Sequence, residues 1–141
     1  MHTVHVAGPV FRSGDFAASA ELGRLYDHLE STAKHADVRV QLPIYDKQLD
    51  DLPTYEFARA IWKRIREADS LLALIDAPGG NPGSNLSVAG EAHWAAEAGK
   101  RVAIVALEPD RVPRLMRALS NFEVYPAKGV DFVAVFRDLR G

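Results

Sequence analysis

The chain has no cysteine among its 141 residues. Disulfides, thiolate metal sites and cysteine nucleophiles are therefore excluded, and a reducing, cytoplasmic setting fits that composition. A basic excess is missing too: 17 Lys+Arg against 19 Asp+Glu leave a formal net charge of −2. A nucleic-acid polymer or an anionic membrane selects for a basic face, so neither is expected as a partner. A small nucleotide needs only two or three local donors and stays open. No apolar run approaches the roughly 20 residues that cross a bilayer. The opening MHTVHVAGPVF enters a strand-like run with no basic segment before a long apolar one, so no signal peptide is expected. Several motifs are also lacking. GEAHW does not have the HExxH spacing for zinc, AGPVFRSG is neither GxGxxG nor a P-loop, and Ser87 has no evident histidine–acid pair. No metal and no cofactor are expected.

What is there is ordinary for a globular protein: 48% hydrophobic and 26% charged residues, enough chain for one domain over 1–141 with a single real core. Strand and helix patterns alternate along it. Val4-His5-Val6-Ala7 is stopped by Gly8-Pro9. A helical pattern from about Asp15 to Lys34 puts Leu22, Leu25, Tyr26 and Leu29 on one face. Val38 to Leu42 alternates as a second strand, and the acidic YDKQLDDLP reads as a loop with Asp46, Asp50 and Asp51 as a solvated rim. Thr54 then suits the N-cap of a helix striped by Phe57, Ile61, Ile65 and Ala68. Leu71 to Ile75 is apolar on both faces, as a central parallel strand should be. A Gly/Pro/Asn/Ser loop from about Pro78 to Ser87 feeds an alanine-rich helix starting near Leu86 or Ser87. Val102 to Leu107 predicts a buried strand, Val112 to Leu119 a helix, Phe122 to Tyr125 a short fifth strand and Val130 to Leu139 a closing helix. Five strands alternating with five helices imply an α/β protein with a parallel sheet covered on both faces, and a ligand crevice beyond the carboxyl ends of the strands.

Three elements should meet at that crevice. The loop AGPVFRSGD offers close backbone approach at Gly8, and a guanidinium, a hydroxyl and free amides at Arg12, Ser13 and Gly14; it reads equally as a glycine turn with a solvated arginine. The loop from Asp76 to Ser87 is longer than capping alone requires, and Ser84, Asn85 and Ser87 are cap-type residues. Glu91 is a carboxylate set among Ala89, Gly90, Ala92, Ala95 and Ala96. With the helix starting where expected it would lie in the second turn, at the end facing the crevice, where the helix dipole favours the ionised form and burial opposes it. The plainer reading is a surface glutamate well placed near a helix N-terminus. His93, two residues on, points elsewhere, and His5 in its strand reads as a core histidine.

AGPVF after the first strand, READSLLALID from Arg66 to Asp76, and EAHWAAEAGK from Glu91 to Lys100 together resemble the nucleoside 2-deoxyribosyltransferase superfamily. The resemblance implies a flavodoxin-like three-layer fold with a five-stranded parallel sheet, and cleavage of an N-glycosidic bond between base and sugar. It implies Glu91 as nucleophile and His5 where the family often has a tyrosine orienting it. It further implies a substrate site built from Gly8, Pro9, Phe11, Arg12, Ser13 and Gly14. FRSGD is similar to the first loop of the branch that hydrolyses nucleoside 5′-monophosphates, with Ser87 as a further phosphate hydroxyl. Arg114, in VPRLM, falls where family members reach into a neighbouring subunit, so a homodimer or higher homo-oligomer is implied, with Leu115, Met116 and Leu119 available to bury there or to pack on their own sheet. Two family features are absent. No aspartate stands in the helix before the third strand, where Arg59-Ala60-Ile61-Trp62 runs instead, and NPGSNLSVAGE replaces D-x-G-T. Asp76, ending a strand at the crevice, is the preferred substitute proton donor. A non-catalytic module that senses a nucleotide in the same crevice is the alternative.

Overall fold

The computed structural model describes residues 1–12 and 17–141. Five strands, β1 (His2–Ala7), β2 (Val38–Gln41), β3 (Ser70–Ile75), β4 (Arg101–Ala106) and β5 (Tyr125–Pro126), stand in the order β2-β1-β3-β4-β5 with every pair parallel. This is the flavodoxin-like, doubly wound order. The helices are α1 (Ala17–His35), α2 (Lys47–Asp50), α3 (Thr54–Glu67), α4 (Pro82–Glu97), α5 (Arg114–Arg117) and α6 (Phe132–Arg140). None of the described helices is long and apolar enough to cross a membrane.

The two faces of the sheet follow from the alternation of side chains along each strand. Val4, Val6, Leu72, Leu74, Ala103 and Val105 meet Leu22, Tyr26, Leu29, Phe132, Phe136 and Leu139 of α1 and α6. Ala7, Leu71, Ala73, Val102, Ile104 and Ala106 meet Ile65 of α3 and Val88, Ala92 and Ala95 of α4 on the other side. All six residues of β3 are buried, the pattern of a strand covered on both faces.

Several boundaries differ from the sequence expectation, each for a local reason. The α4 helix starts at Pro82, not near Leu86 or Ser87. Asn81 caps it by accepting from Ser84 N at 2.9 Å, while Ser84 Oγ accepts from Asn81 N at 2.8 Å, and Pro82 takes the first helical position. Thr54 is the first residue of α3, with Pro53 in the cap position and no side-chain cap. The acidic loop holds the single turn α2, capped by Asp46 through Gln48 N at 3.0 Å. The helix expected from Val112 is interrupted at Pro113, leaving a 3₁₀ turn at Pro109–Arg111 and one α-turn beyond it. The fifth strand pairs only at Tyr125 and Pro126, because Phe122 is tied back through Ser120 Oγ.

Candidate active site

Strand order reverses between β1 and β3, and the loops leaving their carboxyl ends frame the crevice. In the parallel register His5 of β1 lies beside Gln41 of β2 and Leu71 of β3. Since Val4 and Val6 face α1 and α6, His5 faces the α3–α4 layer, where it is buried. On α4, Val88, Ala92 and Ala95 recur at helical spacing against the sheet, and their small volumes bring the helix down close to it. Glu91 flanks that stripe on the side of β1. Its Oε1 meets His5 Nε2 at 2.8 Å, with the two side chains 23% and 8% exposed. The other ring nitrogen, Nδ1, lies 3.2 Å from Gln41 Oε1. The sequence therefore sets a carboxylate, an imidazole and an amide in a line that runs from α4 through β1 to β2.

Glu91 is the tenth residue of α4 and stands in its third turn. The helix dipole acts mainly within the first turn, so Glu91 lies beyond its main reach; its close polar partner is His5 Nε2. Gly90 does not thin the wall of the site. It faces outward, and a Cβ added there would meet nothing within 4 Å.

The first loop is fixed from behind by Tyr26 of α1. Its buried hydroxyl donates to Pro9 O at 2.5 Å, and a Cβ on Gly8 would stand 2.7 Å from that hydroxyl and 3.3 Å from Leu74 Cδ1, so only glycine fits there. Burial, and secondly the negative charge of Glu91, hold the Tyr26 phenol well above its ordinary value. Pro9 is buried against the following loop, where a Cβ on Gly80 would lie 3.3 Å from Pro9 Cγ and 2.9 Å from Ala77 O.

The other predicted residues are distributed as follows. Phe11 bridges to Ile44, donating from its N to Pro43 O at 2.8 Å, and lays its ring on α1 where Gly23 leaves room. Arg12 is exposed, its guanidinium 4.2 Å above the Tyr45 ring. Ser13 and Gly14 lie outside the described residues. Asp76 is exposed at the end of β3 with φ of 54°, a left-handed backbone that aspartate tolerates better than most residues. A reciprocal pair holds it there: Asn85 Nδ2 donates to Asp76 Oδ1 at 2.8 Å and Asp76 N donates to Asn85 Oδ1 at 3.0 Å. Ser87 is exposed one turn before Glu91 on the same side of α4, its hydroxyl 3.3 Å from Gly83 O. Arg114 is exposed on α5. Of its neighbours, Met116 and Leu119 pack on this chain's own core and Leu115 faces outward. Two grooves, of about 440 Å³ between α1 and β2 and about 220 Å³ between Trp62 and Trp94, contain neither His5 nor Glu91.

Gln41, Tyr26 and Asn85 are the residues that sequence reading did not assign to the site. Tyr26 showed itself only as one member of an apolar stripe. Gln41 showed itself as the polar end of a strand whose neighbour was unknown.

No protein-family model matches the chain, and no curated protein matches it in sequence. Solved structures do match over nearly the whole length. The CMP N-glycosidase BcmB of Clostridium botulinum superposes with a TM-score of 0.60 at 18% identity, covering 98% of this chain and 97% of that one. The 2-deoxyribosyltransferase of Bacillus psychrosaccharolyticus gives 0.57 at 15% identity, covering 95% of each. A conserved protein of Enterococcus faecalis V583 gives 0.55 at 21% identity, covering 99% of this chain and 87% of that one. The chain therefore shares its fold with these solved proteins. In particular, it has the architecture shared by that deoxyribosyltransferase and that CMP N-glycosidase.

Proposed function

We propose that this protein is an enzyme of the nucleoside 2-deoxyribosyltransferase type that cleaves the N-glycosidic bond of a nucleoside 5′-monophosphate, with Glu91 as nucleophile. The observation that carries the reading is the hydrogen bond between buried His5 and Glu91, set beside the strand ends of a fold shared with a CMP N-glycosidase. In the first step a Glu91 oxygen bonds to the anomeric carbon as the bond from that carbon to the base nitrogen breaks. The base departs with the bonding pair and takes a proton from the acid. Water then displaces Glu91 from the sugar and releases a proton, or a second base does so and completes a transfer. His5 donates to the carboxylate and aims it. Asp76, held at the end of β3 by Asn85, is the proposed proton donor. Arg12 and Ser87 make the phosphate-facing rim, with Gly8, Pro9 and Phe11 shaping it, and an arginine fork suits two phosphate oxygens at once. Arg114, exposed on α5, would add to a neighbouring subunit's site in a homo-oligomer.

The test is release of free base from a panel of nucleosides and nucleoside 5′-monophosphates. Wild type is expected to release base from a monophosphate, and Glu91→Ala to lower the rate by about 10³-fold or more while the melting temperature holds. Product traces identical to buffer throughout the panel would overturn the assignment.

One observation supports a second reading, a sensor that binds without turnover. The acids of α3 are Glu56 and Glu67, at opposite ends and both exposed, so the helix supplies no carboxylate at its middle. A sensor would be stabilised by nucleotide as RT ln(1 + [L]/Kd) in wild type and Glu91→Ala alike, with no base released.

A further inference from the structure

Both ring nitrogens of His5 face an oxygen: Nε2 meets Glu91 Oε1 at 2.8 Å and Nδ1 meets Gln41 Oε1 at 3.2 Å. A neutral imidazole carries only one N–H, whereas an imidazolium carries two. With Glu91 ionised, a bare Nε2 lone pair against the carboxylate at that distance would be repulsive, so Nε2 must carry a proton. The arrangement is then satisfied in two ways. As imidazolium, His5 donates from Nε2 to Glu91 and from Nδ1 to the Gln41 carbonyl. As neutral imidazole it donates from Nε2 to Glu91, and a half turn of the Gln41 amide brings its NH₂ to the bare Nδ1. A glutamine amide can offer an acceptor or a donor at a single place by turning over.

We propose that Gln41 is a positioning residue for Glu91. By presenting oxygen to the charged ring and nitrogen to the neutral one, it keeps the His5 Nε2–H on the carboxylate in both protonation states. The β1–β2 register puts Gln41 directly beside His5, so the strand pairing itself sets the contact. Among the described residues no other side chain hydrogen-bonds the ring. Leu71 faces it from β3, Glu91 is the titratable group from α4, and Tyr26 lies on the α1 side with its hydroxyl committed to Pro9 O. The inference rests on the proposed role of Glu91 for its catalytic meaning, though not for its geometry.

Two measurements separate those two layers. In protein labelled with ¹⁵N at histidine, the ring nitrogens of His5 are followed against pH in wild type, Gln41→Leu and Gln41→Glu. The neutral wild-type ring is expected as the Nε2–H tautomer. Gln41→Leu removes the acceptor for Nδ1–H and lowers the pH at which His5 titrates; Gln41→Glu adds a second carboxylate and raises it. Unchanged titration in both variants, with melting temperatures showing that both fold, would overturn the proposal whatever the enzyme does. On the monophosphate that wild type cleaves, Gln41→Leu is expected to lower kcat by up to about 10²-fold with little change in KM, the sign of a misaimed group. Gln41→Glu is expected to recover most of that loss on the acid side of its shifted titration. A kcat loss of the same size in both variants at every pH would refute the positioning role. Ring titrations that move as expected, in a protein that releases no base, would instead sink the nucleophile assignment and leave the contact standing.

Discussion

The two faces of the sheet are built differently. The face covered by α1 and α6 is filled with large side chains, among them Tyr26, Leu29, Phe136 and Leu139, all nearly inaccessible to solvent. The face covered by α3 and α4 is made of alanines, branched aliphatics and one methionine, with no buried Phe, Tyr or Trp among the described residues, and α3 buries only Ile65 while Phe57, toward its start, is 38% exposed. His5 and Glu91 lie on this thinner face. A polar pair needs a place where it can be satisfied and still reached, and a fully packed core offers neither. The stout face supplies most of the large buried side chains, and the thin face holds the proposed site. Tyr26 joins the two, since it belongs to the first core while its hydroxyl fixes the loop that borders the second.

The division can be broken deliberately. Phe136→Ala on α6 should have the largest effect, costing about 3–5 kcal/mol from lost burial and the cavity left behind. Denaturant unfolding would show the loss, and the His5 ring resonances of the surviving native protein should not move. Ala92→Leu on α4 is the converse. Overpacking should cost about 1–3 kcal/mol, but it lifts the helix that bears Glu91, so the His5 resonances should shift and base release should fall disproportionately. Equal behaviour of the two variants in both assays would erase the distinction between the faces.

Tyr26→Phe sharpens the comparison at its joint. It leaves Pro9 O without its partner and should cost about 1–3 kcal/mol. It should also change the alkaline stability profile. The Tyr26 phenol is raised in the folded protein, so above the ordinary value near 10 the unfolded chain sheds a proton that the native chain retains. Stability contributed this way is complete below about pH 10 and is lost as pH rises beyond it. Melting temperatures from pH 9 to pH 11 should fall more steeply for wild type than for Tyr26→Phe, and parallel curves would contradict the assignment.

Much of this arrangement was legible in the residues. The runs around Val4, Leu71 and Val102 gave the sheet its strands because strands buried on both faces must be apolar throughout. The stripe of Leu22, Tyr26 and Leu29 marked the core side of α1 because helical spacing is short-range and rigid. The start of α4 was legible in principle. Asn81-Pro82 followed by Ser84 is a cap, a first helical residue and a capping-box partner, but the glycines at 79, 80 and 83 and the serines around them read as loop.

The sequence by itself determined the alternation of strands and helices, the apolar faces, and the presence of one carboxylate among small residues. These depend on neighbours a few positions apart, where covalent geometry sets the period. Only the tertiary structure decided that Glu91 meets His5, 86 residues away, and that Gln41 stands behind the ring. Those contacts depend on which strands pair and in what register, and on how closely α4 lies on the sheet. Such choices are made by the packing of the whole chain, and no local pattern encodes them.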